Sequence, residues 1–211
     1  MKRKIICLAL TVLVCTTFLL TPVSAVEEVD GFDITYWYTD ASSAGAWTSS
    51  VLPTFIYSNA TSSSLSASNV ETYLSSAFNA WDFTDVSHYV VDYQSSAKLI
   101  VHACTRSDAT SFGLPANVIG ATSYTKDFAS NLFYSTSTYS YYAIRSSQII
   151  IVDCDATSTS TGVKKVLAHE LGHALGYFGH YANGNIMKEY YENVTSISPS
   201  ANEEKHLGQF Y

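Results

Sequence analysis

The chain has 211 residues, 47% of them hydrophobic, with 11 Lys and Arg against 18 Asp and Glu for a net charge of −7. That length suits one domain with a sizeable core, and an acidic balance excludes nucleic acid and anionic membrane surfaces as expected partners. Tyrosine alone contributes 16 residues, so hydroxyls rather than charges build much of the polar surface.

Residues 1–25 form a secretory signal: Lys2-Arg3-Lys4, an apolar run from Ile5 to Leu20, and Val23-Ser24-Ala25 as a small-residue cleavage site. The run is short for a membrane span and is interrupted by Thr11, Thr16 and Thr17. Cleavage leaves residues 26–211 as one domain, expected to be secreted, monomeric and free of the membrane. Three basic residues depart with the signal, leaving 8 against 18 acidic ones, a net charge of −10. Cys7 and Cys15 depart as well. Cys104 and Cys154 remain, each just past an apolar run. If those runs are neighbouring strands, a disulfide is geometrically possible and export permits it; two free buried thiols are the alternative.

Along the mature chain, Ile34–Tyr38 and Thr54–Ser58 read as strands. Ser68 to Trp81 reads as a helix, because Val70, Leu74, Ala77, Phe78 and Trp81 fall at helical spacing behind a Ser/Asn cap. Tyr89–Tyr93 and Lys98–His102 are further strand candidates. Residues 103–147 are rich in loop signals and leave room for a hairpin. Gln148–Val152 has the unbroken apolar character of a buried strand. Residues 161–176 read as a helix with Thr161 or Ser160 as its cap, and Ser198–Tyr211 as a C-terminal helix with Pro199 near its first turn.

The helix at 161–176 carries the chemistry. It contains His169-Glu170-Leu171-Gly172-His173, followed by Gly176, His180 and Met187. Histidines four apart project from one face of a helix and can hold two corners of a tetrahedral zinc site. Glu170 points about 100° away, suited to reach a metal-bound water rather than the metal. Leu167, Leu171, Ala174 and Leu175 form an apolar stripe expected on the face opposite the histidines. Gly176 can end the helix in a left-handed conformation, letting the chain swing His180 back as a third ligand. Three ligands leave a fourth position for water, as catalytic rather than structural zinc requires. A pair of ordinary core histidines would also satisfy HExxH alone; the added glycine, histidine and methionine argue against that reading.

The segment His169 to Gly176 resembles the zinc helix of the metzincin metallopeptidases, and Asn185-Ile186-Met187 resembles their Met-turn, where a methionine packs beneath the metal. The surroundings resemble the matrixin branch: Ala77-Phe78-Asn79-Ala80-Trp81 looks like its first helix, Ala97–Val101 like its central strand, and Ile149–Asp153 like the strand before the zinc helix. This resemblance implies an α+β fold, a twisted mixed sheet packed on two long helices plus a C-terminal helix. It implies a secreted zinc endopeptidase acting on protein or peptide substrates, with His169, His173 and His180 as metal ligands and Glu170 as catalytic general base. It also suggests calcium at Asp153 and Asp155, although two acids without a glycine-turn loop fall short of a calcium motif and more plainly cap or face solvent. His88, His102 and His206 lack ligand spacing and read as structural.

The chain departs from the family pattern in three ways. Tyr177-Phe178-Gly179 place one residue too many before His180, an excess Gly179 could absorb. Glu189 stands where some metzincins have a tyrosine two residues past the methionine, and Tyr190 and Tyr191 follow as wall or core residues. No propeptide with a latency cysteine lies between Ala25 and the first strand. Two other function classes stay open: a zinc-containing binding protein with little turnover, and a zinc amidase acting on cell-wall peptides. Retention of Glu170 argues against the first, since binding zinc does not need that carboxylate; the third histidine and the Met-turn argue against the second.

Overall fold

The computed structural model describes residues 45–126, 134–135, 140–177, 179–181, 183–208 and 211. The signal and the strand expected at Ile34–Tyr38 lie outside them. Seven strands among the described residues form one mixed sheet: β1 (Gly45–Ala46), β2 (Val51–Ser58), β3 (Ser87–Val90), β4 (Leu99–Cys104), β5 (Gly120–Lys126), β6 (Tyr134–Ser135) and β7 (Ser140–Val152). The helices are α1 (Ala67–Ala80), α2 (Arg106–Ser111), α3 (Ser160–Leu175) and α4 (Ala201–Leu207). The α+β class, the two long helices and the C-terminal helix are as the sequence implies.

β7 is the spine. On one side it pairs in parallel with β4, which pairs with β2, which pairs with β3. On its other side β5 runs antiparallel, and β1 and β6 extend the two sides along the early residues of β7. Parallel neighbours require crossovers, and α1 supplies the one between β2 and β3. Leu99, Val101 and Ala103 of β4 alternate with half-buried Ile100 and His102, and the buried set faces the helices together with Ile149 and Ile151 of β7. Val70, Leu74, Ala77, Phe78 and Trp81 present the apolar face of α1 to the same core, the spacing read from the sequence. α2 and the following loop cover the other face at one end with Ala109, Leu114 and Val118.

Several local expectations change. The strand read at Tyr89–Tyr93 is Ser87–Val90, because pairing with β2 ends where the Val91 amide donates to the Thr54 carbonyl and a turn follows. The loop-rich stretch holds α2, and its hairpin character survives as the antiparallel pair β5–β7, whose second strand starts much earlier than Gln148. The C-terminal helix is confined to Ala201–Leu207, because Ser200, not the Ser198-Pro199 pair, closes its capping box with Glu203. Cys104 and Cys154 are free. Their strands are neighbours, but Cys104 pairs in register with Val152, so Cys154 lies two residues beyond and its Sγ faces the Thr157 hydroxyl at 3.7 Å.

Candidate metal centre and active site

α3 begins one residue earlier than expected, and its cap is neither Thr161 nor Ser160. Thr159 accepts from the Gly162 amide at 3.1 Å and satisfies a donor that the first turn leaves open. Its far end stops at Gly176, whose φ of +113° is the left-handed conformation expected there. A Cβ at that position would sit 2.1 Å from the Gly45 carbonyl oxygen, so the close approach as well as the backbone angle demands glycine. The last carbonyls of α3 take outside donors, the Trp47 indole N–H on Ala174 at 2.8 Å and the Tyr211 hydroxyl on Leu175 at 2.6 Å.

The apolar stripe does not lie opposite an open histidine face. Every residue from Val166 to Leu175 is buried, so the second half of α3 runs through the interior and the histidines are enclosed with it. Gly172 makes that enclosure possible. A Cβ there would meet Met187 Sδ and Trp81 Cζ2, each at 2.7 Å. Trp81 also binds the helix by donating from its indole to the Ala168 carbonyl at 2.8 Å. Met187 is fully buried in the core against this glycine, one residue from His173.

Candidate ligand atoms of His169, His173 and His180 all lie within 4.8 Å of one another. The extra residue before His180 is absorbed at Gly179, which adopts φ +72°. His180 is the least buried of the three, and its ring stacks on His169 at 5.2 Å between centroids, with 20° between planes. The His169 Nδ1 lies 2.8 Å from the Ile186 carbonyl, and the His173 Nδ1 lies 2.6 Å from the Tyr177 carbonyl. A carbonyl only accepts, so each Nδ1 carries the proton and each Nε2 presents a lone pair. Those two Nε2 atoms stand 3.1 Å apart. Two facing lone pairs repel, and a shared cation reconciles them: tetrahedral ligands about 2.0–2.1 Å from zinc are separated by about 3.3 Å.

The electrostatics fit a metal. Burial pushes His169 down to about 4, offset only in part by the Ile186 carbonyl. His173 is held well below its usual range by burial and then by the two neighbouring histidines, and His180 falls to about 3 by burial and then by His169. Three neutral imidazoles are the form a divalent ion takes.

Glu170 is fully buried and stands outside the histidine group. Its Oε2 accepts from the Thr122 hydroxyl at 2.7 Å, while Oε1 has no partner. A Cβ on Gly120 would come within 2.6 Å of that Oε1, so β5 leaves room for the carboxylate. Burial pushes Glu170 up to about 8, with the Thr122 bond pulling the other way. A cation nearby would favour the ionised form.

A family model described as Matrixin matches residues 46–211. The chain belongs to the matrixin family. That family consists of zinc metallopeptidases, in keeping with the histidine group of this matrixin. Among solved structures, one titled "Crystal structure of myroilysin" is similar with a TM-score of 0.33 at 11% identity, covering 74% of this chain and 60% of that one. The matrixin thus spans less than two thirds of that protein's length. None of the curated proteins matches it.

The other residues singled out from the sequence lie elsewhere. Tyr191 packs at the opposite end of α3, where its hydroxyl would meet a Cβ on Gly162 at 3.1 Å and its ring lies 5.5 Å from the Lys165 ammonium. Asp153 Oδ2 accepts from the Thr61 amide, the Thr61 hydroxyl and the Ser62 amide at 2.7–2.9 Å. His88 stacks on Phe78, and His102 packs edge-on to Tyr57. Sequence reasoning missed Thr122, Gly120 and Gly172 in this matrixin. Gly172 was visible inside the motif; Thr122 and Gly120 carry no signal, since only the pairing of β5 with β7 brings them above α3.

Proposed function

We propose that this chain is a secreted zinc endopeptidase in which His169, His173 and His180 hold the metal and Glu170 is the general base. The observation that carries the reading is the convergence of three imidazoles, two with Nδ1 tied to a carbonyl, beside a buried carboxylate that keeps one oxygen unpartnered. Zinc held there supplies Lewis acidity, polarising a peptide carbonyl and acidifying a water. Glu170 Oε1 takes the proton of the attacking water, then gives it to the leaving amine. Thr122 holds Oε2, so the working oxygen is the free one. His169, Glu170 and His173 are buried and His180 less so, and the low polarity around the buried groups strengthens these interactions.

An extended peptide is read as adding to the sheet at β5. Among the described residues no strand pairs the edge of β5 away from β7, and Thr122 of that strand stands directly against Glu170. Backbone hydrogen bonds would hold such a peptide, with alternate side chains pointing toward α3. Protein or peptide is the substrate class, and neither nucleic acid nor membrane is a partner of the mature chain. Secretion rests on the signal-like residues 1–25, with residues 26–211 as a monomeric catalytic domain. No described helix is long and apolar enough to cross a membrane.

The test is zinc content together with cleavage of a diverse peptide library, for the parent and for Glu170→Gln. The variant should keep its zinc while turnover falls at least about 100-fold, the low end for loss of a general base. Wild-type cleavage by the variant, or no zinc in the parent, defeats the proposal.

A further inference from the structure

Glu203 lies on α4, remote in sequence from the histidine motif, and its side chain is fully buried. Among the described residues, every partner of its carboxylate is a backbone donor. Oε1 accepts from the Met187 amide at 2.7 Å, both oxygens accept from the Asn185 amide at 3.0 Å, and Oε2 accepts from the Ser200 amide. Gly184 makes way for it, since a Cβ there would lie 2.2 Å from Oε1. The Ser200 bond is ordinary helix capping. The bonds to Asn185 and Met187 are not, because they tie a separate loop to the helix.

The N–H of Met187 and the carbonyl of Ile186 belong to one peptide unit. That unit is planar and trans, so its N–H and C=O point in opposite directions. One side of the plane is held by the Glu203 carboxylate, and the other receives the His169 Nδ1–H at 2.8 Å. Fixing the N–H therefore fixes the carbonyl. A negative acceptor on the N–H also polarises the peptide and strengthens its oxygen as an acceptor. A stronger acceptor on Nδ1–H makes Nε2 a better donor to a metal.

We infer that Glu203 is a positioning residue for the metal centre, acting on His169 through the Ile186–Met187 peptide. The inference rests on the reading of His169 as a ligand. Its action is distinct from a general contribution to folding, because the peptide relay predicts a change at one imidazole.

The experiment compares Glu203→Gln, Glu203→Asp, Leu207→Ala and His169→Ala in the full mature chain. The amide in Glu203→Gln keeps the volume but turns one acceptor into a donor facing backbone N–H groups. Zinc affinity is read by competition with a chromophoric chelator, the His169 Nδ1–H by its downfield proton resonance in zinc-loaded protein, and stability by thermal melts. Glu203→Gln should weaken zinc binding by at least about tenfold, the low end for partners behind a ligand, and speed exchange of the His169 proton. Glu203→Asp, which keeps the charge, should recover part of both and carries the test if the glutamine variant does not fold. Leu207 is buried on the same helix, so Leu207→Ala should lower the melting temperature while leaving zinc affinity and the His169 resonance alone. If Glu203→Gln holds zinc as the parent does with the His169 resonance unchanged, the inference is overturned. If His169→Ala also keeps full affinity, the ligand reading fails instead.

Discussion

His169 and His173 sit one turn apart on the same helix, yet their imidazoles are held in different ways. The carbonyl behind His173 belongs to Tyr177, four residues on, where Gly176 turns the chain and the Tyr177 amide closes onto Gly172 at 2.8 Å. That support is local and follows from how a helix ends. The carbonyl behind His169 belongs to Ile186, 17 residues away, on a loop anchored by a carboxylate from α4. That support is tertiary. One side of the candidate metal centre is organised by its own helix, whereas the other depends on contacts from the C-terminal segment.

The largest break in this contrast is Met187→Asp. It puts a charge into the fully buried floor of the distant support. A loss of about 3–5 kcal/mol is expected, as for an uncompensated buried charge. Zinc retention and thermal melts together read it, and wild-type behaviour in both would remove Met187 from the site.

Gly176→Ala attacks the local support. The left-handed φ strains any side chain, and the Gly45 carbonyl blocks the Cβ. About 2–3 kcal/mol of stability should be lost, read by denaturant unfolding, near the upper range for backbone strain. Zinc affinity should fall with it, because the Tyr177 carbonyl can no longer reach His173. A variant as stable as the parent would show that the helix end is not what orients His173.

Thr122→Val touches neither support. It strips Glu170 of its hydrogen bond while leaving both histidine carbonyls in place. kcat/KM should drop about tenfold, as when partners behind a reacting group are removed. Zinc content should not change, so co-purified metal measured alongside turnover separates the carboxylate from the ligands.

The smallest effect is expected from Met187→Leu, which keeps the volume packed against Gly172. Such swaps cost less than about 1.5 kcal/mol, and zinc content should match the parent. A large loss would mean that the sulfur, not the apolar bulk, matters in the contact with Gly172.

Much of this was legible in residue order. The helical spacing of Val70 to Trp81 marks α1 because burial must recur every three or four residues for one face to meet the core. The unbroken apolar run before Asp153 marks part of β7, as a strand buried on both faces does, but not its start at Ser140, because there buried Ala143 and Ile144 are set among Tyr, Arg and Ser residues that break the run. The cap of α3, expected at Thr161 or Ser160, lies one or two residues earlier because Thr159, Ser160 and Thr161 offer equivalent oxygens, and only the backbone angle at Thr159 selects one. The disulfide between Cys104 and Cys154 looked open because register is invisible in sequence; two residues of offset were enough to leave both thiols free.

By itself the sequence determined what periodicity and local chemistry can encode: the histidine pair with its intervening carboxylate, the glycine that ends their helix, and the candidate third ligand and methionine beyond it. Those features depend on contacts within a turn or two, so a linear reading reaches them. Only the tertiary structure decided which carbonyl holds His169, that Thr122 and Gly120 frame Glu170, and that Glu203 braces the loop from the far end of the chain. Each of those depends on strand pairing or helix docking between segments far apart in sequence. Glutamate, threonine and glycine carry no mark of such roles until the fold brings their partners within hydrogen-bond distance.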